Sequence, residues 1–248
     1  MIPLLLPDSF VILAVILFSS FLQTITGFGY ALAAAPLLAL VMGPKDAVMF
    51  VLFTGIIGKL AILIRTWRLG RFSDIGLLFA ANVLGALPGA YVLKIISNES
   101  LKIIIGITLL IMAAAMARDF RIDIKKPQLA QVIVGSISGF LSTTTSLSGP
   151  PIIMYYLNQA AQKEIVRANL TRYFILSNAA SLIISYFFGT LNLTKMTTNT
   201  LICIPAILLG VWFGERFFSR FSADTFKKLA LTVIAVSALV SIVSGFDR

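Results

Sequence analysis

Apolar positions along this chain come in long blocks rather than in the short periods of a soluble protein. Stretches that exclude Lys, Arg, Asp and Glu, or nearly so, cover residues 9–42, 48–64, 75–96, 101–117, 129–158, 168–189, 198–214 and 229–245. Blocks of this kind predict membrane helices, which need about 20 apolar residues each. Two blocks break the pattern. Residues 9–42 are too many for one span, and 129–158 is interrupted by Thr143-Thr144-Thr145-Ser146-Leu147-Ser148-Gly149-Pro150-Pro151. Each anomalous block opens one half of the chain.

The halves repeat one another. Ser20-Phe21-Leu22 resembles Gly139-Phe140-Leu141, and Lys45-Asp46-Ala47-Val48 resembles Lys163-Glu164-Ile165-Val166 at nearly the same offset. Further on, Leu84-Gly85-x-x-x-Gly89 matches Leu209-Gly210-x-x-x-Gly214, and Ser97-Asn98-Glu99 matches Ser222-Ala223-Asp224, at a second shared offset. Recurrence of the charged landmarks together with the apolar ones marks a duplicated unit. The predicted division is a first repeat over 1–117, a linker over 118–128 facing the cytoplasm, and a second repeat over 129–248.

Composition narrows the class. A mean hydropathy of +0.98, 58% hydrophobic and 12% charged residues leave no room for a soluble domain among the 248 residues. With no His and a lone Cys203 in an apolar run, a His-based acid/base, a Cys/His metal cluster and a disulfide framework are excluded, so neither an enzyme, a metal site nor a cofactor is expected. Residues 1–7 hold no Lys or Arg, and no A-x-A-like site follows the apolar run from Phe10, which argues against a cleaved signal peptide. The net charge of +10 suits basic cytoplasmic loops rather than nucleic acid, because no basic stretch interleaved with aromatics exists.

The placement of those basic residues chooses a topology. If each anomalous block crosses once, loop Lys and Arg divide equally between the two sides. If each folds back as a re-entrant hairpin, thirteen loop cations from Arg65 to Lys228 fall on the cytoplasmic side and five outside: Lys45, Lys94, Lys102, Lys195 and Arg248. The positive-inside rule favours the hairpins. Each half then has three full crossings and the second enters the membrane upside down. The predicted fold is an all-α polytopic membrane protein of two inverted repeats, each a broken helical hairpin followed by three transmembrane helices, with both termini outside the cytoplasmic membrane. Secondary transporters of this build bind substrate near the midplane at discontinuous helices.

The breaks carry the candidate chemistry. Gly27-Phe28-Gly29 in the first hairpin and Gly149 with Pro150 in the second suit the start of new half-helices in mid-membrane. A helix start exposes N–H groups and about half a positive charge, which together favour an anion. Uncharged hydrogen-bonding side chains surround both breaks: Gln23, Thr24 and Thr26, then Thr143, Thr144, Thr145, Ser146 and Ser148. The same hydroxyls also suit close helix packing. All ten Asp and Glu lie in loops or at span ends, Glu215 being the nearest to a span, which argues against a cation carrier and a carboxylate proton relay. Lys59 and Arg172 are the charges inside spans. Each either meets substrate or snorkels toward the nearby Arg65 or Arg167. Asn82 and Asn178 read as glue between helices, the Gly-x-x-x-Gly pairs as close-packing sites, and Trp67 as an interfacial anchor.

These residues resemble a known family. Gly27-Phe28-Gly29, Pro36-Leu37-Leu38 and Gly43-Pro44 in the first half, with Gly139-Phe140-Leu141-Ser142 and Gly149-Pro150-Pro151 in the second, are similar to the paired motifs of the TauE/SafE sulfite and organosulfonate exporters. The likeness extends over nearly the whole chain. It departs at Tyr30, where a small residue is common, and at Ser146 and Ser148, which replace glycines, all on the expected binding lip. The resemblance implies a cytoplasmic-membrane permease for sulfite, sulfoacetate or a related organosulfonate. A small-anion channel, or a permease for an organic anion without sulfur, is the alternative. The expected partners are the anion and the lipid bilayer; an oligomer is not indicated.

Overall fold

The computed structural model describes residues 7–117, 126–157, 163–218 and 223–246. They form α-helices with no strand among the described residues: α1 (Pro7–Thr26), α2 (Tyr30–Met42), α3 (Pro44–Thr66), α4 (Gly76–Ile95), α5 (Asn98–Ala117), α6 (Pro127–Thr145), α7 (Gly149–Leu157), α8 (Lys163–Phe187), α9 (Leu193–Phe218) and α10 (Ala223–Phe246). A single 3-10 turn at Phe72–Ile75 leads into α4. Proline opens α3 and α6, where its missing N–H has no helical partner to lose. Of the expected linker, residues 118–125 lie outside the described set, as does Asn158, and α6 begins within it.

Both anomalous blocks are split where the sequence breaks. α1 gives way to α2 across Gly27, Phe28 and Gly29, and α6 to α7 across Ser146, Leu147 and Ser148. Gly27 has φ +82° and Ser146 φ +61°, and Ser146 is the one non-glycine residue with positive φ among those described. This left-handed conformation terminates a helix and costs an ordinary L-residue about 1–2 kcal/mol. The sequence offset that relates Phe21 to Phe140 also relates Gly27 to Ser146, so the two halves turn at equivalent points.

The legs of the two hairpins are unequal. By length and composition four stretches among the described residues can cross a membrane: Ser9–Thr26, Pro44–Thr66, Phe72–Ile95 and Asn199–Phe217. α1 is therefore long enough to cross by itself, its 20 residues reaching about 30 Å. α2, with 13 residues, and α7, with 9, are too short. A Cβ on Gly27 would sit 3.7 Å from Leu170 and 3.8 Å from Arg167, within the opening turns of α8.

Packing crosses between the halves. α4 lies along α6, α1 along α9, α5 along α10 and α3 along α8. In the α4 and α6 pair, a Cβ on Gly85 would collide with the Ser136 carbonyl and one on Gly139 with the Asn82 carbonyl, so the helices meet backbone to backbone. The α1 and α9 pair repeats this contact. Gly214 faces the Phe21 carbonyl and Thr24 Cβ, while Gly89 faces the Phe140 carbonyl and Thr143 Cβ, the same offset separating Phe21 from Phe140 and Thr24 from Thr143. The Gly-x-x-x-Gly spacing is thus a packing device in both places.

Candidate functional site

The two half-helices converge on one cavity. It is lined by Phe28, Tyr30, Ala31 and Leu32 from the first break and start of α2, and by Ser146, Leu147, Ser148 and Gly149 from the second break and start of α7. Val51, Leu52 and Lys59 of α3 and Phe174 and Asn178 of α8 complete the wall. Lys59, Phe174 and Asn178 lie well inside their helices, so the cavity is at depth rather than at a helix end.

Lys59 brings the charge. Its ammonium donates to the Gly55 carbonyl, one turn back, at 3.3 Å and stands 5.8 Å from the centres of both the Tyr30 and Phe174 rings. The salt bridges among the described residues join Arg65 and Arg167 to Glu215, and none reaches Lys59. Across the cavity Asn178 Nδ2 donates to the Leu52 carbonyl at 3.1 Å. Gly55 makes the space in which these two groups approach each other: a Cβ there would lie 3.1 Å from Lys59 Nζ and 3.2 Å from Asn178 Nδ2. Asn178 stands at Lys59's position in the repeat, at the offset that relates Gly27 to Ser146. Read as interhelical glue from the sequence, Asn178 is a wall of the cavity, and that offset was the signal that could have found it.

The hydroxyls divide by what they touch. Ser148 lines the cavity, is 5% exposed, and its hydroxyl has no hydrogen-bond partner among the described residues. Its carbonyl accepts from Ser138 Oγ at 2.8 Å, which holds the break in place. Ser146 also lines the wall, but its hydroxyl is turned to the Thr145 carbonyl at 2.6 Å. Thr26 serves the first break, its Oγ1 accepting from Phe28 N at 2.9 Å and Gly29 N at 2.7 Å. Those two N–H groups are therefore occupied, and the backbone left to face a ligand on this side is that of Tyr30 to Leu32, whose N–H groups have no partner within the helix. Tyr30, where a small residue was expected, anchors its phenol on Thr54 Oγ1 at 2.7 Å and offers its ring to the cavity.

Other residues expected at the site lie elsewhere. Thr24 donates to the Ser20 carbonyl and packs on Gly214 of α9. Thr143 donates to Ser181 Oγ at 2.9 Å, Thr144 to the Phe140 carbonyl at 2.8 Å and Thr145 to the Leu141 carbonyl at 2.9 Å. With Ser142, Ser177, Tyr173 and Asn82, Thr143 and Thr144 form a polar seam between α4, α6 and α8, while Thr145 Oγ1 also accepts from Leu147 N at 3.4 Å and so serves the second break as Thr26 serves the first. Gln23 is fully buried beside Gly58 of α3, and neither end of its amide has a hydrogen-bond partner. Of Gly149 and Pro150, in the first turn of α7, Gly149 is on the wall. Arg172 is not. It donates to the Trp67 carbonyl at 2.6 Å and lies 5.5 Å from the Phe72 ring centre, against the C-terminal end of α3. That end is also held by Glu215 of α9, which pairs with Arg167 of α8 and stands 3.7 Å from Arg65.

The family model for "Sulfite exporter TauE/SafE" matches residues 12–241. A Cupriavidus necator protein described as a "Probable sulfite/organosulfonate exporter TauE" is 24% identical over 231 residues, covering 87% of this chain and 86% of its own length. No solved structure matches.

Proposed function

The chain belongs to the TauE/SafE sulfite exporter family, multi-pass membrane transporters rather than enzymes, and on that premise we propose that it exports small sulfur-containing anions such as sulfite, sulfoacetate or another organosulfonate. The observation that carries the reading is the meeting of two helix starts with the Lys59 ammonium in one cavity. Helix N-termini and a cation favour an anion, and Ser148 Oγ, the open N–H groups at the start of α2 and that of Gly149 supply directed donors, Pro150 and Pro151 having no N–H. Transport by alternating access follows from an inverted-repeat frame in the cytoplasmic membrane with both termini outside. The reciprocal pairing of α1 with α9 and α4 with α6 supports that frame. In it, α1 crosses most of the bilayer before the chain turns back through α2.

Proteoliposomes loaded with labelled sulfite or sulfoacetate test the proposal. Saturable efflux, competed by unlabelled sulfur oxyanion but not by succinate, is the expected result. Efflux that never saturates and carries current at channel rates would replace the carrier with a pore. Topology is checked separately with cysteines introduced near Arg68 and at Ser244 in a Cys203→Ser background. Labelling of the Arg68 site by an impermeant thiol reagent from outside intact cells sinks the proposed orientation.

A further inference from the structure

Resting on the transport reading and its orientation, the geometry points to a gate: the ion pair of Arg167 and Glu215 closes the cytoplasmic side of the cavity, and it must part each time the cavity opens to the cytoplasm. Four observations carry this.

First, the pair joins helices that the fold otherwise leaves apart. Among the described residues α8 and α9 are not packed along one another; each lies against α3, and α9 lies against α1. Arg167 Nη2, near the start of α8, reaches across to Glu215 Oε1 in the last turn of α9. Second, what it reaches across is the first break. A Cβ on Gly27 would lie 3.8 Å from Arg167 Cγ and 3.7 Å from Leu170 Cδ1, while Phe28, the next residue, is on the cavity wall. On α8 the wall begins at Phe174, about 10 Å further along the helix than Arg167. Third, the pair is wet enough to open. The Arg167 and Glu215 side chains are 10% and 17% exposed, so the separated charges pass into water rather than into an apolar interior that would penalise them. Arg65, 3.7 Å from Glu215 and 60% exposed, is a second partner for the carboxylate once Arg167 withdraws. Fourth, the device is one-sided. The offset that relates Lys59 to Asn178 carries Val48 to Arg167, and the offset that relates Gly89 to Gly214 carries Ala90 to Glu215. Val48 and Ala90 are fully buried and carry no charge, so inverted repeats put an ionic contact at the cytoplasmic end and an apolar one at the other. Alternating access then exchanges one for the other.

The test is labelling of Leu170→Cys, which lies between the pair and the cavity wall on α8, in a Cys203→Ser background with no substrate present. From the cytoplasmic side of inside-out vesicles an impermeant thiol reagent is expected to react slowly with this parent. It should react about fivefold faster or more once Glu215→Gln or Arg167→Gln removes the pair, the scale of one partly exposed ion pair. Reagent added from the outside is expected to react no faster with either variant than with the parent. Unchanged labelling from the cytoplasm overturns the gate, and so does faster labelling from both sides, which marks a general loosening. Should a neutral variant not fold, Arg167→Cys with Glu215→Cys, joined by a short bifunctional thiol reagent, decides the matter in proteoliposomes. Cross-linked protein is expected to lose sulfite efflux and regain it on reduction, and efflux that persists through the cross-link overturns the gate. Labelling as expected in a protein that moves no sulfur anion leaves the gate standing and overturns the transport reading instead.

Discussion

Lys59 and Arg172 look alike in sequence, each the lone charge of an apolar block and each within six residues of a further arginine. Burial does not separate them, since they are 6% and 2% exposed. Their acceptors do. Arg172 is turned to the end of α3, where carbonyls without helical partners collect the negative end of the helix dipole, and it donates to one of them. Its Nη2 is spent on the protein, while Nε and Nη1 have no hydrogen-bond partner. Lys59 has one in-helix carbonyl and two aromatic faces, so its charge is left for something that enters the cavity. On the proposed function, Lys59 is the substrate group of the pair and Arg172 the structural one.

Removing each charge breaks the comparison most directly. Lys59→Met is expected to weaken sulfur-anion binding about 100-fold, the scale of one or two charge-assisted contacts, without lowering the melting temperature. Unchanged affinity in that variant removes Lys59 from the site. Arg172→Met is expected to do the reverse, costing about 1–3 kcal/mol of stability through the orphaned carbonyl while the folded protein binds anion within about threefold of the parent on the same reasoning. Thermal melts and titrations on one preparation check both halves. Arg172→Lys should recover part of the stability, because an ammonium keeps the charge but not the planar group that lies over the Trp67 and Phe72 rings.

Smaller changes sharpen the boundary between ligand and scaffold. Ser148→Ala removes an unspent hydroxyl from the wall and should lower affinity about tenfold, whereas Thr145→Val, whose hydroxyl is committed to Leu141, should leave affinity alone. Equal effects would mean that the second break and the cavity act as one unit. Gly55→Ala tests the space shared by Lys59 and Asn178. A Cβ at 3.1 Å from Nζ forces a shift of a few tenths of an ångström, and an affinity loss of about threefold is expected from so small a misplacement of one charge.

Much of this was legible in the sequence, because membrane helices advertise themselves by block length and glycines by spacing. The breaks fell at Gly27-Phe28-Gly29 and at Ser146-Leu147-Ser148 before Gly149-Pro150-Pro151, where glycine frees the backbone and proline suits the start of a new helix. The legs of the first hairpin were less legible. Residues 9–42 carry no mark that distinguishes a full-length α1 from a half-length one, and the depth of Gly27 is fixed by its contact with Arg167 and Leu170. Side-chain direction was the main loss. Thr143, Thr144 and Thr145 sit beside the second break in sequence, but helical rotation turns their hydroxyls to backbone carbonyls and to α8, and only three-dimensional packing distinguishes them from Ser148.

The pairing of α1 with α9 also bears on how the molecule is made. A chain is synthesised from its N-terminus, so α1 enters the bilayer on the order of ten seconds before α9 exists, at usual elongation rates. Through that interval the face of α1 that carries Leu17, Phe21 and Thr24 has none of the glycines it will finally lie against. Ser19, Ser20 and Gln23, which keep unpartnered polar atoms even in the finished fold, wait with it. Lipid, the insertion machinery or a neighbouring early helix must shelter that polar face, and a ribosome stalled before α9 would leave behind a segment whose binding surface is complete and whose partner has not been born.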